Sequence, residues 1–195
     1  GDQLWMKENL KVTHYRNGDA IPTGYSASEW TILSTSAYAV YNDDESNADT
    51  YGYLYNWYAV DDSRNIAPEG WHVPTDEEWM ELEMALGMSE SEANSSGSYR
   101  GTDQGSQLAG RADLWMDGDL ENNAEFGTSG FTVLPGGYRH IDGNYNFMGD
   151  DGCFWPSTET SSTAARYRIV SYVYSGVCRY NYYKQLGFSV RCVRD

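Results

Sequence analysis

The sequence predicts an α+β fold, with a small antiparallel sheet, one or two helices and long loops. Three observations favour this class: one capped helical segment, several short apolar runs typical of strands, and long polar stretches rich in Gly, Ser and Asp. Helical and strand segments that do not alternate as β–α units are typical of α+β proteins. A length of 195 residues predicts a single domain spanning 1–195.

The first sixty residues contain two apolar segments separated by a polar one. Residues 3–12 mix apolar and polar positions as a strand does, whereas 16–50 carry turn markers such as Asn17-Gly18. The aromatic segment 51–60 is expected in the core, but its periodicity does not decide between a strand and a short helix.

A helix is predicted at 76–86 from its start and stop signals. Thr75 and Glu78 have the spacing of a capping box, and the acidic residues of the first turn suit the helix dipole. Trp79 and the leucines after it follow at helical spacing, and Gly87 is a suitable C-terminal cap.

The rest of the chain is predicted to be loops and strands. Residues 88–128 are rich in Ser, Gly and Asp, which predicts long loops. Strands are predicted at 131–139, 152–159, 165–174 and 188–194.

The charge of the chain is strongly negative and unevenly distributed. The formal net charge is −16; residues 1–159 carry 28 acidic and 7 basic side chains, whereas 160–195 carry one acidic and six basic. Such an acidic body disfavours nucleic acid and anionic membranes as partners. No apolar run reaches the length of a membrane span, so none is predicted. The acidity either serves solubility or leaves the C-terminal region as a less negative face for a partner.

The three cysteines cannot all pair within one chain. No Cys or His spacing of the zinc-binding kind is present. Cys153 and Cys178 either bridge neighbouring strands or stay free thiols, and the sequence leaves both alternatives open.

No catalytic residue is predicted. The helix cap accounts for Glu77 and Glu78, and His72 is expected to be a packed structural residue within its Trp-His-Val-Pro segment. No nucleophile-elbow motif accompanies the serines.

No metal ligand and no cofactor is assigned, although a structural calcium ion is left open. Clustered Asp and Asn residues at 43–45, 117–123 and 142–151 offer the oxygen atoms that calcium requires. None of these segments matches an EF-hand loop, and Asp-Gly pairs are typical of simple turns.

A segment near the C terminus differs in composition from its flanks. Residues 152–159 and 187–195 form a regular frame, and the insert between them holds six of the 17 tyrosines. Tyr together with Ser, Asn and Arg is the composition of binding surfaces in antibodies. The predicted ligand-contact residues are Arg166, Tyr167, Ile169, Ser171, Val173, Tyr174, Tyr180, Asn181, Tyr182 and Tyr183.

Alternation within the insert predicts that Tyr167, Ile169, Ser171 and Val173 lie on one face of a strand. This face is either a binding surface or part of an ordinary half-buried edge strand.

Six motifs, in their order along the chain, resemble the Fibrobacter succinogenes major paralogous domain. They lie at 3–10, 52–59, 68–79, 130–139, 154–158 and 187–195. The resemblance implies a C-type lectin-like fold of the formylglycine-generating-enzyme-like branch, a secreted or bacterial-surface location, and binding in preference to catalysis.

Two departures from related proteins concern cysteine. Ala67 stands where the family often has a cysteine, so a bridge from there to Cys192 is absent. Formylglycine-generating enzymes need a closely spaced cysteine pair, whereas Cys178 and Cys192 lie 14 residues apart. That oxidase activity is therefore not supported.

The insert within its frame also resembles the variable region of proteins diversified by retroelements. In such proteins a C-type lectin-like scaffold displays mutated residues near its C terminus, and adenine-directed mutagenesis of Asn-type codons yields Tyr, Ser, Asp, Arg, Cys, Val, Ile and Asn. Residues 166–186 contain most of this set, interleaved with the apparently unmutated Arg168, Arg179 and Lys184. A diversified surface, a fixed binding face and a structural strand all remain open.

The predicted function is non-catalytic binding of a protein or surface glycan through 166–186. The location is predicted to be extracellular or on a bacterial cell surface, with a phage virion as a further option. Two alternatives are a secreted enzyme acting on polysaccharide or cell-wall material, and a structural component of a phage tail or surface filament. The enzyme would use an Asp/Glu pair within 100–151.

Overall fold

A computed structural model describes residues 2–195, so Gly1, the first residue of the predicted domain, lies outside the described part. The helices are α1 (Ala27–Trp30), α2 (Ser46–Tyr51), α3 (Trp57–Val60), α4 (Asp76–Ala85), α5 (Glu90–Asn94) and α6 (Gln104–Leu108). The strands are β1 (Tyr38–Ala39), β2 (Leu54–Tyr55), β3 (Trp71–His72), β4 (Gly97–Arg100), β5 (Gly136–Arg139), β6 (Tyr145–Met148), β7 (Asp151–Phe154), β8 (Glu159–Ser161), β9 (Ala164–Ser171), β10 (Tyr174–Tyr183) and β11 (Val193–Arg194). This mixed α+β architecture confirms the predicted class. The prediction of one or two helices is wrong, because residues 27–108 contain six short ones.

The main sheet has seven strands, of which six follow the order β4-β10-β9-β7-β5-β6, and β8 pairs with β9. All of its pairs are antiparallel except that of β5 with β7. Strands β9 and β10 form a hairpin of eight and ten residues at its centre. Two further sheets, β1 with β2 and β3 with β11, contain two strands each. The insert identified in the sequence is therefore the central hairpin.

Helix α4 confirms the predicted helix and its cap. The Thr75 side chain accepts a hydrogen bond from the Glu78 backbone N–H at 3.2 Å, and the Glu78 carboxylate accepts one from the Thr75 N–H at 2.8 Å. The helix packs on the main sheet through Trp79, which joins a core cluster with Phe154 and Val170. None of the helices in residues 2–195 is long and apolar enough to cross a membrane.

Thr75→Ala should lower the free energy of unfolding by about 1 kcal/mol, because it removes the acceptor of this cap. Urea denaturation of both proteins measures the difference. Thr75→Ser keeps the hydroxyl and should recover most of the loss. If the Ala and Ser variants are equally stable, the cap contributes nothing and the argument is wrong.

The frame around the insert consists of core residues. Trp155, Phe188, Val190 and Cys192 are buried. Buried Arg191 donates to the side chain of Asn9 at 2.6 Å and to the carbonyl oxygens of Phe131 and Thr132. The regularity of the frame in sequence thus corresponds to its role in holding the N-terminal segment against the sheet.

Several predicted strand boundaries are wrong. Residues 3–12 run beside the C-terminal segment, with Trp5 in an isolated bridge to Val193, but form no strand. The predicted strand at 131–139 is confined to Gly136–Arg139, and the one at 188–194 to Val193–Arg194. Residues 51–60 contain the end of α2, then β2, then α3, so both alternatives for that segment occur.

Strands β4 and β10 are not anticipated by the sequence. β4 lies within the segment predicted to be loops, and β10 follows the predicted strand at 165–174 without a recognised turn. The apolar alternation of β10 is hidden, because Arg179 occupies a buried position on one of its faces, whereas Tyr180 and Tyr182 occupy exposed positions on the other.

The three cysteines are buried and free. Cys153 and Cys178 both lie opposite Ile169, one on each side of β9. Two strand spacings separate them by about 9–10 Å, which exceeds the reach of a disulfide. The alternative of a Cys153–Cys178 bridge is therefore wrong.

Candidate binding face

The register of the central hairpin separates two kinds of side chain. Tyr167 of β9 lies opposite Tyr180 of β10, and Arg168 lies opposite Arg179. Because opposite residues of an antiparallel pair point to the same side, the two tyrosines share one face and the two arginines share the other.

Helix α4 covers the arginine face through a buried charge cluster. Arg168 donates to the Asp76 carboxylate at 2.7 Å and to the Glu83 carboxylate at 2.7 Å. Arg179 donates to Asp76 at 3.0 Å, and Arg100 of β4 donates to both oxygens of Glu83 at 2.8 Å. All five side chains are buried. The cluster therefore links α4 to strands β4, β9 and β10 of the main sheet.

The charge cluster lowers the pKa of Asp76 to about 2. Burial alone would raise it, but the hydrogen bonds and charges of Arg179 and Arg168 outweigh that effect. Asp76 is therefore ionised at neutral pH; it is the carboxylate that pairs with Arg179, and it shares Arg168 with Glu83.

The opposite side of the hairpin, called the tyrosine face below, points away from α4. Its large side chains are Tyr99, Tyr167, Ile169, Tyr174, Tyr180 and Tyr182, and the smaller Ser171 and Cys178 lie on the same side. Tyr174 is 49% exposed, Tyr180 48% and Tyr182 38%. Tyr174 stacks on Tyr99 with ring centroids 4.0 Å apart. The sheet therefore presents large rings to solvent at fixed positions.

A cleft of about 240 Å³ opens at one end of the tyrosine face. This aromatic cleft is lined by Tyr138, Phe147, Asp151, Tyr167, Ile169, Tyr182, Leu186 and Phe188. The Tyr138 and Phe147 rings are nearly parallel, with centroids 5.7 Å apart. Tyr167 and Tyr182 meet edge-to-face at 6.2 Å. Strands β5, β6 and β7 thus supply one part of the cleft, and the hairpin another.

Asp151 brings a carboxylate into this otherwise aromatic lining. Burial raises its pKa to about 6, the Ser171 hydroxyl opposes that rise, and the neighbouring Asp150 adds to it. None of the ion pairs found among residues 2–195 includes Asp151. A raised pKa in a concave site is a common property of functional groups.

Comparison of the chain with models of known protein families identifies its family. The model of the Fibrobacter succinogenes major domain matches residues 1–194. The chain belongs to this family. No significant match was found among curated proteins or among solved structures. The match to the family model confirms the resemblance that the six sequence motifs indicate.

In this family member, the predicted contact residues do not form a single surface. Tyr167, Ile169 and Ser171 do share a face, as the alternation predicts, but Val173 lies in the turn after β9. Ser171 and Tyr167 are both buried.

The remaining predicted residues divide between the two faces. Tyr174, Tyr180 and Tyr182 belong to the tyrosine face. Arg166 and Asn181 pair with each other on the arginine face, where the Arg166 guanidinium lies 3.6 Å from the Asp76 carboxylate. Tyr183 alternates to that same side at the end of β10 and is 49% exposed.

The structure also adds residues that the sequence prediction missed. Tyr138, Phe147 and Asp151 line the aromatic cleft but lie outside the insert. The sequence signal that could have directed attention to the two aromatic residues is their position close to glycine, with Tyr138 directly after Gly136-Gly137 and Phe147 two residues before Gly149.

The acidic loops form local turns. Asp44 accepts a hydrogen bond from the Ser46 backbone at 3.0 Å, and Asp142 accepts one from the Asn144 backbone at 2.9 Å. Within the described part of the chain, no three His, Cys, Asp or Glu side chains converge as metal ligands. His72 instead lies between the carboxylates of Glu78 and Asp195, at 2.7 and 2.8 Å.

Proposed function

We propose that this domain is a non-catalytic recognition module of the C-type lectin-like type that binds a protein or a surface glycan. It acts outside the cell, on a bacterial surface or on a phage virion. The observation that carries the proposal is the exposure of Tyr174, Tyr180 and Tyr182 on one face of a sheet whose opposite face is held by the buried charge cluster.

Exposed tyrosines on a rigid sheet are well suited to binding. Each offers a large ring and a hydroxyl group while losing the freedom of only two side-chain torsions. Burying such rings against a partner provides most of the energy at typical protein interfaces. The buried cluster around Asp76 supports this use, because it holds β9 and β10 in place independently of what the exposed rings contact.

The burial of three insert positions supports a diversified surface. Arg168, Arg179 and Lys184, which the diversified interpretation treats as unmutated positions, are all buried. Lys184 forms an ion pair with Glu159 and lies 4.5 Å from the centre of the Trp57 ring. The exposed residues Tyr174, Tyr180 and Tyr182 can change without disturbing these contacts.

Binding to arrays of proteins and glycans tests the proposed function. The triple variant Tyr174→Ala, Tyr180→Ala, Tyr182→Ala should lose binding of every ligand that the unmodified domain binds. Its melting temperature should stay within about 5 °C, because exposed side chains contribute little to stability. The control is Leu4→Ala with Ile32→Ala, which removes exposed apolar surface elsewhere and should leave binding unchanged. Unchanged binding by the triple variant would overturn the proposal.

The diversified interpretation has its own test in the DNA around the gene. A reverse-transcriptase gene beside a near-copy of the segment encoding 152–195, differing where the copy has adenine, is the expected result. If sequencing of the flanking DNA finds no such copy, the surface is fixed and only the binding function remains proposed.

A further inference from the structure

We propose that the aromatic cleft binds a methylated ammonium group, with Asp151 as its counter-ion and the surrounding rings as its walls. This inference rests on the proposed binding function and names the chemical group that one part of the surface recognises. It depends on three features: aromatic walls, an unpaired carboxylate and a small volume.

The walls have the composition that attracts an organic cation. A cation within about 6 Å of a ring centre is attracted by the negative face of the ring, and several rings around one site select quaternary ammonium groups. Tyr138, Phe147, Tyr167, Tyr182 and Phe188 contribute rings to the cleft. Phe188 is buried and contacts both Tyr138 and Tyr167, with centroids 5.6 and 5.7 Å apart, so it forms the floor.

Phe147 is held in a backbone conformation that few bulky residues adopt. Its φ angle is +63°, and its side chain is 50% exposed. A bulky residue in this region costs free energy, and such strain is concentrated at ligand-binding sites. The strain is not explained by burial of the ring, since half of Phe147 faces solvent. It does place the ring parallel to Tyr138, at the mouth of the cleft.

Asp151 provides the charge that the cation requires. A partly buried carboxylate without a positive partner is unfavourable, and a bound cation removes that cost. The formal net charge of the whole chain, −16, also attracts a cation over longer distances.

The size and chemistry of the cleft disfavour two other ligands. At about 240 Å³ it is smaller than the usual pocket for a drug-sized molecule, which suits a single head group. One carboxylate is too few oxygen ligands for calcium. An oligosaccharide would need several hydrogen-bonding partners for its hydroxyl groups, whereas the lining is mainly apolar.

Titration by calorimetry or NMR with choline and with its neutral isostere 3,3-dimethylbutan-1-ol tests the inference. The two molecules have nearly the same shape, so choline should bind at least tenfold more tightly if charge is recognised. Equal affinities, or no binding of choline at millimolar concentration, would overturn the inference. Free N-trimethyl-lysine in a parallel titration distinguishes a modified side chain from a choline head group as the source of the cation.

Two variants separate the roles of charge and rings. Asp151→Asn should reduce the affinity for choline about tenfold and leave that for the neutral isostere unchanged. It should also fold normally, because it removes an unpaired carboxylate. Phe147→Leu keeps an apolar side chain but removes one ring face. It should reduce the affinity for choline more than the affinity for the isostere. If both variants bind choline as the unmodified domain does, the cleft is not the site.

Binding should weaken at acid pH. With a pKa of about 6, Asp151 is mostly protonated at pH 5, and the protonated form should bind about as weakly as Asp151→Asn does, so the apparent affinity should be roughly fivefold lower there than at pH 7.5. The titratable groups whose charges interact with Asp151 are Asp150, Tyr99, Tyr138, Cys153 and Cys178. Burial raises the pKa values of both tyrosines and both cysteines, so these groups stay neutral over this range. Asp150→Asn is the control and should retain most of the pH dependence.

The outcomes distinguish this inference from the proposed function. If choline fails to bind but array binding persists and is lost in the triple tyrosine variant, the cleft assignment is wrong and the recognition function stands. If choline binds and Asp151→Asn abolishes the preference over the isostere while arrays show no ligand, the cleft binds an organic cation and the proposed protein or glycan ligand is wrong.

Discussion

Asp76→Asn should lower the free energy of unfolding by about 3–5 kcal/mol, the usual cost of removing one partner from a buried ion pair. Asp76 is 2% exposed, Arg168 is fully buried and Arg179 is 6% exposed. Without the carboxylate, two guanidinium groups remain in the interior without sufficient negative charge. Urea denaturation followed by tryptophan fluorescence measures the loss.

The neighbouring Glu77→Gln variant is the matched control. Glu77 lies in the same helical turn but is exposed, so its substitution should change stability by less than about 0.5 kcal/mol. Similar losses for Asp76→Asn and Glu77→Gln would mean that the cluster contributes little. The expected difference would show that the buried charge cluster holds the hairpin against α4. The proposed binding function requires such a rigid hairpin.

The pH dependence of stability provides a second check on Asp76. Its pKa in the folded protein lies below the ordinary value of 3.8, so its contribution is present above that value and is lost as pH falls towards 2. The unmodified domain should therefore lose stability between about pH 4 and 2 more steeply than Asp76→Asn does. Parallel slopes for the two proteins in that range would contradict the assigned role.

Local signals in the sequence were sufficient for α4 but not for the hairpin. The helix depends on Thr75, Glu78 and the spacing of the residues that follow, all within a few positions of one another. The burial of Arg168 and Arg179 depends on Asp76, which lies about a hundred residues earlier in the chain. Arginine in a sequence is normally expected at the surface, so β10 carries no visible apolar pattern.

The candidate site was predictable in composition but not in arrangement. The tyrosine content of the insert directed attention to β9 and β10, whose exposed rings include Tyr174, Tyr180 and Tyr182. The aromatic cleft, in contrast, forms where β5, β6 and β7 meet the hairpin, and no local pattern specifies that meeting. Asp151 in particular resembles any acidic residue of a turn until its neighbours are known.

Trp155→Ala should also cost about 3–5 kcal/mol, because it removes a fully buried aromatic side chain. The Trp155 indole is 0% exposed and donates a hydrogen bond to the Tyr55 carbonyl at 2.9 Å. Its ring lies 4.5 Å from that of Phe188, the floor of the aromatic cleft. The substitution therefore leaves a cavity directly beneath the proposed ammonium site.

The expected result has two parts that can be measured separately. Thermal or urea unfolding of Trp155→Ala should show the loss of stability, whereas Ile32→Ala, which truncates a side chain that is 79% exposed, should stay within about 0.5 kcal/mol of the unmodified domain. Trp155→Phe retains a ring, and the Tyr55 carbonyl still accepts the Phe188 N–H at 3.0 Å, so this variant should lose less stability.

The second part concerns binding. If Trp155→Phe keeps the affinity for choline while Trp155→Ala, under conditions where it remains folded, loses it, the floor must be rigid for the cleft to bind. Equal affinities in the two variants would show that the cleft does not depend on the core beneath it.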